Sequence, residues 1–201
     1  MPTHKILLAT PALALVLTGC AVTETLEERE NTFLAMTEAD FAAGVSVVDD
    51  PLNPSIEINT RGAYQDFQFI WGPQEDQFLR GHKFRDTGHV ALQGYVTSDI
   101  NGTWLHPVSV TFQHTLPTRP VERVSFDANR CSSYGCMHRE DMVFEFTPKE
   151  LDQVIADMEA KEETVFAFRI QGQSGVDRDG RFHINELKAF RDAVDRKFLE
   201  E

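Results

Sequence analysis

Residues 142–158 read Met-Val-Phe-Glu-Phe-Thr-Pro-Lys-Glu-Leu-Asp-Gln-Val-Ile-Ala-Asp-Met, and within them the spacing of apolar side chains changes. Met142, Phe144 and Phe146 recur at every second position, the period of a strand with one buried face. Leu151, Val154, Ile155 and Met158 recur at helical spacing instead. Between the two patterns stands Thr147-Pro148-Lys149-Glu150. Thr147 can accept from the first free N–H groups, Pro148 suits the first helical position, and Glu150 completes a capping box. A strand that runs straight into a capped helix predicts a mixed architecture.

Strand-like spacing extends toward the N-terminus. Ile56 and Ile58 alternate with polar neighbours, as do Phe67, Phe69 and Trp71. Segments near 77–85 and 89–97 follow, and Asn101-Gly102 is a hairpin signal. Val108, Val110 and Phe112 are expected on one face, with Ser109, Thr111 and Gln113 on the other. Val124 and Phe126 suggest a further strand. Toward the C-terminus, Phe166, Phe168 and Ile170 mark a strand, residues 181–184 another, and Leu187, Phe190, Val194 and Phe198 a terminal helix. A short helix is expected over 32–43. The fold class is therefore α+β: an antiparallel β-sheet or small β-sandwich with two C-terminal α-helices.

The chain has 201 residues, 41% hydrophobic and 25% charged, enough for one ordinary core. The 15 phenylalanines suit a sheet-rich interior. The formal net charge is −13, and removing residues 1–19, with Lys5 as their one charged side chain at pH 7, takes it to −14. Such a surface repels phosphate backbones and anionic lipid headgroups, so no nucleic-acid partner is expected.

The N-terminus reads MPTHKILLATPALALVLTGC. A short basic start, His4 and Lys5, precedes an apolar stretch from Ile6 to Leu17, the length of a secretory signal core and short for a membrane span. Leu17-Thr18-Gly19-Cys20 resembles the lipobox of bacterial lipoproteins. That resemblance covers about the first tenth of the chain. It implies cleavage between Gly19 and Cys20 and fatty acyl chains, palmitate among them, on Cys20. Ala21, rather than Asp, after the cysteine implies the outer membrane, with the domain facing the periplasm. Two or three chains on one residue hold firmly, since each buried methylene contributes roughly 0.8 kcal/mol. The competing readings are an ordinary signal peptide cut near Ala12-Leu13-Ala14, a site that falls inside the apolar stretch, and an uncleaved helix, which Pro11 opposes. The expected organisation is a signal peptide over 1–19, an acidic tether with a short helix over 20–45, and one globular domain over 46–201.

Lipidation of Cys20 leaves Cys131 and Cys136, an even pair in an oxidising compartment, and a disulfide between them is expected to stiffen a small loop. Their C-x4-C spacing is not that of redox enzymes. A zinc site would need ligands beyond His138.

Asp177-Arg-Asp-Gly-Arg-Phe-His-Ile-Asn-Glu186 resembles the second part of an EF-hand loop, with Asp177, Asp179 and Glu186 as the implied calcium ligands. Gly175 stands where the first acidic ligand belongs. The favoured alternative is a hairpin turn on Asp179-Gly180 and a helix start at Asn185 or Glu186. Among the histidines, His82 and His89 lie seven apart, His114 continues the inward phase of Val110 and Phe112, and His138 sits in a polar stretch. G-x-S-x-G, H-E-x-x-H, the P-loop and G-x-G-x-x-G do not occur. Phe67, Phe69 and Trp71, or Tyr95 and Trp104, would suit an aromatic platform for a sugar or peptide.

The function expected from these residues is a membrane-anchored, non-catalytic binding or assembly module of the cell envelope. Its partners would be the membrane, through the lipid, and envelope proteins or glycans. No cofactor is expected beyond the calcium of the first alternative, a domain stabilised through 177–186. The second alternative is an envelope hydrolase whose site is assembled in space around His114 or His138.

Overall fold

A computed structural model describes residues 25–61, 76–113, 116–133 and 135–199. The fold is α+β, with two antiparallel sheets face to face. The first sheet has the order β1-β2-β3-β4-β8-β7. Its strands are β1 (Ser46–Val48), β2 (Ser55–Asn59), β3 (Gln77–Phe84), β4 (Val90–Asn101), β7 (Glu122–Ser132) and β8 (Gly135–Phe146). The second has the order β10-β9-β5-β6, from β5 (Pro107–Phe112), β6 (Arg119–Pro120), β9 (Val165–Gly172) and β10 (Asp177–His183). The chain leaves the first sheet after β4, builds β5 and β6, and returns for the β7–β8 hairpin. It then crosses through α3 (Pro148–Ala160) to β9 and β10. Helix α4 (Ile184–Val194) continues into a π-helical turn at Asp195–Leu199.

The inner faces meet through phenylalanine. The Phe144 ring lies 5.0 Å from Phe168 and 5.6 Å from Phe112, with Phe166, Phe146 and Phe182 completing the layer. Two glycines make this possible. Gly94 pairs across the ladder with Phe144 and Gly180 with Phe168. A Cβ on either would stand 2.5 Å or 2.2 Å from the facing ring. The far end of each ring occupies the space that a Cβ on its partner strand would fill.

Gly180 thus sits in mid-strand, and the hairpin expected on Asp179-Gly180 lies earlier, at residues 173–176, where Gly175 has φ +77°. The Asn101-Gly102 hairpin is also absent. Gly102 (φ 79°) turns the chain out of the first sheet, and β4 pairs with β8 rather than with β5. Val108 is exposed although Val110 is buried, because a register shift between Pro107 and Ser109 breaks the alternation.

Two helices precede the sheets. Helix α1 (Leu26–Ala35) starts on a Thr25/Glu28 capping box and α2 (Glu38–Gly44) on a Thr37/Asp40 box. They replace the single helix expected over 32–43. Phe33 and Phe41 point into a small cluster with Ala189 of α4. Glu30 forms an ion pair with Arg181 of β10, Nη1 to Oε1 at 2.6 Å. The acidic stretch is therefore docked on the domain from Glu30 onward.

Candidate functional site

At the end of the sandwich where the chain passes from β4 to β5, three segments converge: β7, β8 and the β4–β5 connection. The inward row of β8 is Phe146, Phe144, Met142, and its next members are Glu140 and His138. Glu140 is 1% exposed. Its carboxylate accepts the backbone N–H groups of Leu105 and, at 3.2 Å, His106, and takes a hydrogen bond from Arg123 Nη1 at 3.0 Å. Three donors, one of them cationic, offset the cost of burying this charge. They also fix the crossing loop, in which His106 has φ 51°, a left-handed conformation costing a side-chain-bearing residue about 1–2 kcal/mol.

Arg123 joins this buried base to the surface. Its Nη1 lies 3.3 Å from His106 Nδ1, and its guanidinium carbon sits 4.5 Å from the centre of the Phe126 ring. Phe126 meets Trp104 edge-on at 5.6 Å, and Trp104 packs on His138 at 4.3 Å. Phe126 remains 62% exposed. Val124 beside it is exposed as well, because β7 is the outermost strand and shifts register between Arg123 and Ser125. The result is an aromatic shelf of Trp104, Phe126 and His138, edged by Arg123 and His106. Aromatic faces with a guanidinium at the rim can hold an extended peptide or the apolar face of a sugar.

The opposite face of the first sheet carries a separate polar group. Asp141 accepts from Thr97 Oγ1 at 2.7 Å and Ser125 Oγ at 2.5 Å. Burial acts to raise its pKa, but these hydroxyls, Arg139 and Tyr95 hold it below the ordinary value. Burial and then the Asp141 charge push the Tyr95 phenol up to about 12. Tyr95 stacks on Phe78 at 4.6 Å with Arg80 over it, so Tyr95 and Trp104 lie on opposite faces and form no common platform.

Cys131 and Cys136 stand at disulfide distance, Sγ to Sγ 2.05 Å, near the tip of the β7–β8 hairpin that carries the shelf. Asp177, Asp179 and Glu186 are not brought together. Residues 177–183 are strand, Asp179 pairs with Arg169 at 2.5 Å, and Glu186 is buried in α4, where it accepts from Thr60 Oγ1 at 2.6 Å. Among the described residues no group of three His, Cys, Asp or Glu side chains is placed to hold a metal ion. His82 and His89 lie on the β3–β4 hairpin and both stack on Phe84, at 6.1 Å each. The chain reversal brings them to one side, where a single continuous strand would have separated them. His138 Nδ1 is buried, with no hydrogen-bond partner among the described residues. Cys20, Phe67, Phe69, Trp71 and His114 lie outside the described residues.

Sequence reasoning missed Glu140, Arg123, His106 and Phe126 as one cluster. The available signal was Glu140 continuing the phase of Met142, Phe144 and Phe146, a carboxylate in a core row. Comparison of the chain with protein-family models, with curated proteins and with solved structures found no match in any of the three.

Proposed function

We propose that this protein is a lipid-anchored lipoprotein of the cell envelope and that its folded domain is a non-catalytic binding module. The contact surface is the Trp104–Phe126–His138 shelf. The observation that carries the second part is Phe126, a large ring left 62% exposed on a buried, hydrogen-bonded Glu140–Arg123 base. Isolated exposed apolar residues are ordinary, but a rigidly seated aromatic with an arginine over it has the composition of an interface anchor. The acidic group beside it, Glu140, holds two backbone N–H groups and a guanidinium, which suits a scaffold better than proton transfer. The anchor rests on the Leu17-Thr18-Gly19-Cys20 sequence, and no helix among the described residues is long and apolar enough to cross a membrane.

Two measurements test the two parts separately. Mass spectrometry of the mature N-terminal peptide should find acyl chains on Cys20, and Cys20→Ser should move the protein from the membrane to the soluble fraction. Persistent membrane attachment of that variant would remove the anchor. For the shelf, crosslinking in intact cells should yield a neighbour whose recovery falls about tenfold in Phe126→Ala, a loss of roughly 1.4 kcal/mol. Recovery should hold in Val48→Ser, a change on the far edge strand. Equal recovery from both variants would place the contact elsewhere.

A further inference from the structure

We propose that His183 is the bolt of a pH-sensitive latch that docks α1 and α2 on the junction of β10 and α4, and that acidification frees these two helices from the domain. His183 is the last residue of β10 and the N-cap of α4. Its imidazole makes two hydrogen bonds. Nδ1 accepts the Asn185 N–H at 3.0 Å, and Nε2 faces the Leu34 carbonyl of α1 at 3.4 Å. An acceptor at Nδ1 and a donor at Nε2 define one neutral tautomer. The ring stacks on Phe41 of α2 at 5.2 Å and meets Phe33 of α1 edge-on at 5.3 Å. Asn185 adds a bond from Nδ2 to the Met36 carbonyl, between the two helices, at 2.9 Å. One short segment, 183–185, thus grips both helices and their connection.

Protonation would undo this grip. A proton on Nδ1 points at the Asn185 N–H, removes the cap bond and sets two donors against each other. It also buries a positive charge that no carboxylate among the described residues compensates, since only burial and the Leu34 carbonyl act on the ring. Of the charged groups on the surrounding elements, Glu28 and Glu30 of α1 hold Thr25 and Arg181, Asp40 of α2 holds Thr37, Glu186 of α4 holds Thr60 and Lys188 of α4 holds Glu159, while Glu27 and Glu38 are exposed at the starts of their helices. The stacked face of Phe41 attracts an imidazolium by roughly 0.5–2 kcal/mol, less than the cost of an unpaired buried charge. In keeping with this geometry, burial holds His183 below the ordinary histidine value, and the Leu34 carbonyl opposes that only in part.

The sign follows. The docked histidine titrates lower than the freed one, so docking is complete above about pH 6.5. Below that value docking weakens by about tenfold per pH unit until the docked ring itself titrates. On the lipoprotein reading above, release has a mechanical consequence, because α1 begins within a few residues of Cys20. Freed residues 26–44 would lengthen the tether by up to about 60 Å. The latch itself does not depend on that reading.

Hydrogen exchange on the full chain at pH 7.5 and 5.0, corrected for intrinsic rates, tests the latch. Amides of residues 26–44 should lose protection by tenfold or more at pH 5.0, while those of α3 should not. His183→Asn retains a cap oxygen for Asn185 but cannot titrate, and its protection should be the same at both pH values. Phe41→Ala should leave the segment unprotected at both. An NMR titration of the His183 ring should give a pKa below that of a free histidine. Unchanged protection in the parent chain, the same pH dependence in His183→Asn, or a His183 pKa at or above the free value would each overturn the proposal. Acyl analysis of Cys20 remains separate, so failure of the anchor and failure of the latch are distinguishable.

Discussion

Single side chains in this protein are placed by what the facing strand lacks. Phe144 can lie across β4 because residue 94 has no Cβ, and Phe168 across β10 because residue 180 has none. Gly94→Ala should force a methyl into a ring within a packed layer and destabilise the fold by about 2–3 kcal/mol, read from the urea midpoint at constant slope. A change below 0.5 kcal/mol would mean that the ring can step aside. Glu140 works in the opposite sense: its carboxylate is in the core because three donors meet it there. Removing it by Glu140→Ala strands two backbone N–H groups and a guanidinium, with an expected cost of 3–5 kcal/mol. Near-parent stability would show that water replaces the carboxylate.

At the scale of elements, three helices begin on the same device, a threonine whose hydroxyl accepts from the third helical N–H while the acid there returns the bond. In α3 the box does more. Glu150 also pairs with Arg119 of β6 at 2.9 Å, and that guanidinium lies 5.3 Å from the Phe112 ring, so the helix start is tied to the second sheet. The Arg119 hydrogen bond, with the Thr147 cap, brings Glu150 down to about 2. A carboxylate lowered on folding stabilises at pH above its unfolded value, near 4.5, and that stability is lost as pH falls toward 2. The pair is partly exposed, so screening leaves about 1 kcal/mol of this effect. Glu150→Gln retains a capping side chain and should flatten the stability profile between pH 4.5 and 2 while lowering stability at pH 7 by about that amount. An unaltered acid profile would assign the pH dependence to other carboxylates.

At the scale of the whole molecule, β7 and β8 form the hairpin at one edge of the first sheet, and the Cys131–Cys136 pair ties its far end. A loop this small contributes at most about 2 kcal/mol through chain entropy. The double Cys131→Ser, Cys136→Ser variant should keep the global unfolding midpoint within that margin and raise amide exchange chiefly at the hairpin tip. Collapse of the whole fold would show that this hairpin nucleates the first sheet.

What the residues alone determined was local. Alternation in 142–146 and 166–170, helical spacing in 151–158 and 187–198, and the Thr147-Pro148-Lys149-Glu150 junction specified the elements and the α+β class. Each such signal acts within a few residues of backbone. The order of strands, the register shifts and the edge position of β7 arise from contacts between distant segments, and these were decided only by the tertiary structure. For the same reason Val108, Val124 and Phe126 sit on the surface although their spacing resembled that of core residues, and Asp179-Gly180 lies within a strand although its composition is that of a turn. Likewise, Glu140 meets Arg123 and His106, and His183 meets Phe33 and Phe41, only when sheets and helices close on each other. A carboxylate or imidazole becomes a buried hinge point through its neighbours in space, which short-range spacing does not encode.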